Sequence, residues 1–506
     1  MKRIVSFVLS ALFIFGCSSA VHEDADKPEL RFRDGKLRIL QFSDVHWCSG
    51  KKSDELIPQI IKASVESERP DVLVFTGDVI KAPVKQGWTQ FVDLMHEIGL
   101  PYAVMMGNHD PESPFSTEEW SRRTTRDSIF TFLEKSPLFL GEKGPSELPG
   151  MGNYVVPVLA SDGSSKVKGL LYCLDSHEDH NNPRIESTRN PDMWLTYEQI
   201  SWYRNKSRSY TEANGGVPLP AFAFFHVPLY EFNVVKQYPE TIGEKGEYVC
   251  CPVMNSGMFN AMFDMADVMG IFVGHDHNND YIGQHCGIAL AYCKAAGVDT
   301  YGDFAKGCRV IDMFEDGRYF DTWLYSPEKG RENLYHYPSA LSEKDSEGLE
   351  LMPAQTAAPV KRGIAYKYYE GEFRNVADIA SLGRLADEGV MQSFDITGAK
   401  AADHFAYEFN AWLAIKETGV HKFRLKSDDG AVLYVDGQPV IDNDGSHSSR
   451  EKVGLVLLEA GYHDIKVIYF DDTDGQVLQV GMTGKRTAGF EDILYVKDWT
   501  EQLITL

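Results

Sequence analysis

An α/β domain followed by an all-β sandwich is the architecture this sequence predicts, and three observations predict it. Near-continuous apolar runs, separated by stretches long enough for helices, continue to about residue 325. From 326 to 361 Pro, Glu, Lys, Ser and Ala displace those runs, and from 362 to 506 apolar residues recur at every second position between Asp-Gly pairs. At 506 residues the chain also exceeds one core, since cores tend to split beyond roughly 250–300 residues.

The first element is not part of either domain. Met1-Lys2-Arg3 followed by the uncharged apolar stretch from Ile4 to Phe15 has the anatomy of a secretory signal and is short for a membrane span. Ile14-Phe15-Gly16-Cys17 is similar to the bacterial lipobox, so 1–17 reads as a signal peptide and Cys17 as a candidate lipidation site; ordinary cleavage near Ala20 is the alternative. Residues 18–35 read as a tether, whose acidic Glu23-Asp24-Ala25-Asp26 resembles the surface-export tags of some Gram-negative lipoproteins. The expectation is an exported protein of the bacterial cell envelope, tied to the outer membrane by lipid alone, with a secreted or periplasmic protein as the alternative.

Five apolar runs in 36–325 stop at residues of metal-ligand type. Leu37-Arg38-Ile39-Leu40-Gln41-Phe42 runs into Asp44, Asp71-Val72-Leu73-Val74-Phe75 into Asp78, and Tyr102-Ala103-Val104-Met105-Met106 into Asn108. Ala221-Phe222-Ala223-Phe224-Phe225 runs into His226, and Ile271-Phe272-Val273 into His275. Runs of this kind fit buried strands, and the gaps between the first three accommodate crossover helices. The ligands are expected along one rim of one sheet.

A lone Asp-x-His or Gly-Asp is usually a solvated turn. Here Asp44-Val45-His46, Gly77-Asp78, Gly107-Asn108-His109-Asp110, His226 and Gly274-His275-Asp276-His277 occur together and in this order. The set resembles the calcineurin-like metallophosphoesterase superfamily. The stretches Phe225 to Phe232 and Gly274 to Tyr281 resemble its subgroup of purple-acid-phosphatase-like plant proteins and a fungal phosphatase. The resemblance implies a four-layer α/β/β/α sandwich over 36–325 holding two metal ions, Fe, Mn or Zn. Asp44, His46 and His277 would hold one ion and Asn108, His226 and His275 the other, with Asp78 bridging. It also implies phosphoester hydrolysis by a metal-bridging hydroxide, phosphomonoesters being favoured over diesters, with His109 as the catalytic residue facing the phosphate. Lys81 stands where purple acid phosphatases carry a tyrosine, so no tyrosinate ligand is carried over. The alternatives are a phosphodiesterase, or a noncatalytic glycan-binding adhesin built on a phosphatase scaffold.

Neighbouring residues carry weaker signals. Asp110 reads as structural, Cys48 as a buried thiol, and Asn279, Asp280 and Tyr281 either as contacts around the site or as the start of the next strand. Histidines outside the motifs, such as His96, His421 and His463, read as solvated or packed. Beyond Cys17 seven cysteines remain, of which Cys286 and Cys293 are the first pair to test for a disulfide. The insertions at 111–150 and 229–257 are expected to shape the substrate pocket.

After the 326–361 linker, Phe405, Tyr407 and Phe409 alternate, as do Phe423 and Leu425, and Asp429-Gly430 and Asp436-Gly437 read as hairpin turns. Residues Tyr366 to Tyr369, Phe423 to Gly437 and Ala460 to His463 resemble the protective-antigen-like β-sandwich module over 362–506. That resemblance implies a glycan or cell-surface ligand and a candidate Ca²⁺ site at Asp428 and Asp429, where the bland reading is the turn alone. A formal charge of −24 without a long basic block excludes nucleic acid as the main partner.

Overall fold

The computed structural model describes residues 27–111, 125–180, 182, 184–185, 192–357, 359, 361–486 and 494–497. The signal, Cys17 and most of the tether lie outside the described residues, as does part of the 111–150 insertion. Among the described residues no helix is long and apolar enough to cross a membrane.

Two seven-stranded sheets form the first domain. One is centred on Lys36–Phe42, which pairs in parallel with Val72–Thr76, itself parallel to Tyr102–Met105. On its other side run Cys308–Phe314, Phe320–Ser326, Gly330–Tyr337 and Leu341–Ser342, all antiparallel. The other sheet orders Leu30–Arg31, Tyr154–Leu159, Val167–Cys173, Ala221–Phe224, Val268–Val273, Ile288–Tyr292 and Ile282–His285.

Period-two alternation decides which side chain faces which layer. Phe222, Phe224 and Phe272 point between the sheets, where Phe222 and Phe272 meet Phe320 of the facing sheet at 5.0 and 5.9 Å between ring centroids. Ala221, Ala223, Ile271 and Val273 point the other way, toward Ile200, Tyr203, Met258 and Met262 of the helices Tyr197–Ala213 and Met258–Met265. Ser53–Glu68 and Val84–Ile98 cover the first sheet with Ile57, Ile61, Trp88, Phe91 and Met95. A fully buried side chain of this size contributes about 1.5–3 kcal/mol. The result is the expected α/β/β/α order of layers.

Two crossover helices carry readable end signals. Thr196 and Gln199 form a capping box at the start of Tyr197–Ala213. Gly99 ends Val84–Ile98 in the left-handed region at φ 73°, its N–H bonded to the Met95 carbonyl.

The segment read as a linker is largely structured. Gly330–Tyr337 and Leu341–Ser342 complete the first domain's sheet, while Leu351–Met352 pairs in parallel with Leu457 and Leu458 of the second domain. Gly330–Tyr337 lies next to the edge and leaves much of its surface exposed, so Arg331, Glu332 and Asn333 disguise it as loop.

The second domain packs a four-stranded sheet against a larger one. The core holds Phe405, Tyr407, Phe409, Phe423, Leu425, Leu433, Val467 and Tyr469. Asp436-Gly437 closes a hairpin between Ala431–Val435 and Gln438–Asn443, both turn residues having positive φ, 49° and 75°. Asp429-Gly430 does not close one. Gly419–Asp428 belongs to the smaller sheet and Ala431–Val435 to the larger, so this turn carries the chain from sheet to sheet. Arg486 of this domain lies 4.4 Å over Phe314 of the first, and Lys485 is 3.7 Å from Asp321.

Among the described residues no two cysteines are joined in a disulfide. Cys293 is buried with its thiol against the Gln41 carbonyl at 3.1 Å, whereas Cys286 is exposed on a turn, so the pair singled out from sequence is not bonded.

Candidate metal centre

The ligand-type residues leave the C-terminal ends of parallel strands in both sheets, not one. Asp44, His46, Asp78, Asn108 and His109 follow strands of the first sheet, and His226, His275 and His277 follow strands of the second. The two stacked sheets converge there, and each loop turns abruptly. Asp44, His46, Asp78 and His275 all sit in the left-handed region, with φ of 51°, 46°, 51° and 78°. Non-glycine residues seldom adopt it, and such strain concentrates at functional sites.

Backbone hydrogen bonds lock the loops to one another. Asp44 N–H donates to the Gly77 carbonyl at 3.1 Å, His46 N–H to Asp78 at 2.8 Å, and Gly274 N–H to His226 at 3.1 Å. The buried Asp110 carboxylate accepts from the N–H groups of Asp78, Val79, Ile80 and Gly107 at 2.8–3.1 Å. Burial and the nearby Asp78 push its pKa up to about 6. Its role is structural, as expected. The paired glycines follow from crowding: a Cβ on Gly77, whose φ is 89°, would lie 2.6 Å from His226 Nδ1, and one on Gly107 would collide with the Asp78 carboxylate.

Hydrogen bonds on the far ring atoms aim the imidazoles. His226 Nδ1 donates to the Thr76 carbonyl at 2.7 Å, leaving Nε2 3.3 Å from Asp78. His277 Nδ1 donates to the Tyr301 carbonyl at 3.0 Å, leaving Nε2 3.2 Å from Asp44. His275 Nε2 lies 3.4 Å from Asp192 and its Nδ1 faces His226 Nε2 at 3.3 Å. His46 Nε2 is 3.4 Å from Asp78. Donor atoms of Asp44, His46 and His277 lie within 4.8 Å of one another, as do those of Asp44, Asp78 and His226. The structure thus gathers Asp44, His46, Asp78, His226, His275 and His277 by direct contact. Asn108 sits on the loop after Tyr102–Met105 with its Oδ1 buried. His109 donates its N–H to Asp78 Oδ1 at 2.9 Å, and its ring stands 5.7 Å from that of His46.

Charge and orphaned atoms both fit a cation pair. Burial disfavours the Asp44 and Asp78 carboxylates, yet the surrounding histidines hold both below the usual carboxylate range. Burial likewise opposes charge on His226, but Asp78 and Asp44 outweigh it and lift its pKa to about 10; burial wins at His46, which drops to about 4. Asn108 Oδ1 and His46 Nε2 are buried without a hydrogen-bond partner among the described residues. Such atoms are costly unless something fills the gap. Two carboxylates, four imidazoles and an amide oxygen suit Fe, Mn or Zn.

A cleft of about 340 Å³ opens over the centre, lined by His46, Asp78, Lys81, His109, Cys250, Tyr301 and their neighbours. Sequence reasoning missed Asp192, which no motif marks, and Tyr301, whose ring stacks on His277 at 4.0 Å. Asn279, Asp280 and Tyr281 hold structure instead. Asn279 and Asp280 accept the N–H groups of Glu247 and Glu244, and Tyr281 donates to the Phe232 carbonyl.

In the second domain Asp429 Oδ1 and Oδ2 accept the N–H groups of His447 and Asp472, both at 2.8 Å, and the Tyr469 hydroxyl donates to the Asp428 carbonyl at 2.6 Å. Asp471 is fully buried close by, both carboxylate oxygens lacking a donor among the described residues. Burial, with Asp429, Asp403 and Asp428, raises its pKa to about 7.

The calcineurin-like phosphoesterase family model matches residues 37–279, and the PA14 domain model matches 363–494. "Probable inactive purple acid phosphatase 14" of Arabidopsis thaliana is 28% identical, covering 64% of this chain and 87% of that protein. "Probable inactive purple acid phosphatase 28" of the same plant is 30% identical, covering 58% and 79%. "Phosphatase DCR2" of Saccharomyces cerevisiae is 25% identical, covering 49% and 45%.

Proposed function

Since this chain belongs to the calcineurin-like phosphoesterase family and carries a PA14 domain after the catalytic one, we propose that it is an active, dinuclear-metal phosphomonoesterase. One observation carries the reading: Asn108 Oδ1 and His46 Nε2 are buried without a hydrogen-bond partner among the described residues, beside two carboxylates held ionised. The plant relatives are named inactive; the reading here rests on this chain's own donors. Asp44, His46 and His277 would hold one ion and Asn108, His226 and His275 the other, with Asp78 contributing to both.

Bound there, two metal ions supply Lewis acidity and lower the pKa of water toward roughly 7. The rest falls to side chains. Asp78 fixes the His109 loop through Oδ1, and His109, which lines the cleft, stabilises the phosphate and protonates the departing oxygen. Asp192 orients His275 and the Tyr301 carbonyl orients His277. The test is hydrolysis of p-nitrophenyl phosphate by protein loaded with Mn²⁺, Fe or Zn²⁺. Turnover that chelator abolishes and metal restores supports the reading; no turnover with any of the three overturns it.

The PA14 domain is read as a glycan- or surface-binding module, and the signal-like N-terminus as placing the protein in the cell envelope on a lipid at Cys17. Globomycin sensitivity and palmitate labelling test the anchor. Ca²⁺ is assigned to Asp428 and Asp429, with Asp471 as the buried carboxylate that gains most from it.

The raised pKa of Asp471 sets a pH signature. Its folded value near 7 exceeds the unfolded 3.8, so the folded state holds the proton more tightly and stability falls as pH climbs between those values. In EDTA at pH 8, Asp471→Asn is expected to melt above the wild type, the gap narrowing as pH falls from 7 toward 4. Ca²⁺ at pH 8 should raise the wild-type Tm more than the variant's. A gap independent of pH would contradict this.

A further inference from the structure

Among the described residues lining the catalytic cleft, Lys81 is the only lysine or arginine. It is exposed, and its ammonium makes no hydrogen bond or ion pair with the described residues. Its backbone is nonetheless fixed. Ile80–Ala82 pairs in parallel with Trp47–Cys48, directly after His46, and Ile80 N–H is held at 3.1 Å by the same Asp110 carboxylate that holds Asp78 N–H. The Ile80 side chain is buried, so strand alternation turns Lys81 the other way, into the cleft. A mobile point charge thus stands on a rigid strand three residues from the shared carboxylate.

We propose that Lys81 binds the outer oxygens of the substrate phosphate and makes this site prefer monoesters to diesters. This rests on the hydrolase reading above. A phosphomonoester carries about −1.5 to −2 at pH 7, whereas a diester carries a single charge, and attraction to a cation scales with that charge. An ammonium needs no fixed bidentate geometry, so it follows the phosphate as the leaving group departs.

Wild type, Lys81→Gln and Lys81→Arg, each loaded with Mn²⁺, are assayed on p-nitrophenyl phosphate and bis-p-nitrophenyl phosphate, and titrated calorimetrically with inorganic phosphate. Lys81→Gln is expected to lower monoester kcat/KM by about 10- to 100-fold, diester kcat/KM by less than about threefold, and phosphate affinity by about tenfold. Lys81→Arg should recover most of the loss, with metal content and Tm unchanged in both. An unchanged monoester-to-diester ratio overturns the assignment while leaving the hydrolase reading intact. If the wild type turns over neither ester, the hydrolase reading fails, and the phosphate titration still decides Lys81: no binding to wild type, or equal affinity in Lys81→Gln, overturns it.

Discussion

Asp78→Asn is expected to lower monoester kcat/KM by about 10³-fold or more and to reduce bound metal from about two equivalents to one or fewer. Its carboxylate reaches both ligand clusters, with Oδ2 3.4 Å from His46 Nε2 and 3.3 Å from His226 Nε2. Its other oxygen accepts the His109 N–H at 2.9 Å. Asparagine keeps the shape but removes the negative charge that two cations would share. Elemental analysis alongside steady-state kinetics checks both halves. Normal metal content with normal turnover would remove Asp78 from the account.

His109→Ala should separate from Asp78→Asn by keeping its metal. The His109 ring stands beside His46 at 5.7 Å and is not one of the seven side chains proposed to hold the ions, so two equivalents should remain bound while kcat falls by about 10²–10⁴-fold. A proton donor matters most when the leaving oxygen is basic. The loss should therefore be larger on an alkyl phosphate than on p-nitrophenyl phosphate. Equal losses on both would limit His109 to stabilising charge on the phosphate, and loss of metal would make it structural.

The centre was legible because five of its ligand-type residues follow directly on buried strands, and buried strands advertise themselves as apolar runs. The runs ending at Asp44, Asp78, Asn108, His226 and His275 are strands in the structure. Sequence could not say that they divide between two sheets, since a strand's own residues do not name its neighbours, and the expected single rim became two converging ones. The outer strand Gly330–Tyr337, covered only by the short Leu341–Ser342, was hidden by its charged residues. Asp429-Gly430 has the chemistry of a hairpin turn, yet pairing partners far along the chain make it a passage between sheets. Asp192 was invisible for a similar reason. A lone aspartate acquires meaning only when folding sets it 3.4 Å from His275.

The paired glycines show the converse, where local sequence carries tertiary information. Gly77 and Gly107 flank ligands because His226 and Asp78 occupy the space that a Cβ would need. Their presence in Gly-Asp and Gly-Asn-His reports a crowded centre before any coordinates are known.

Anomalous diffraction from crystals of the Mn²⁺-loaded protein tests the central claim most directly. Two peaks are expected, one among Asp44, His46 and His277 and the other among Asn108, His226 and His275, with Asp78 reaching both. No peak within this cage, or a single peak that leaves Asn108 and His226 without a cation, would contradict the account.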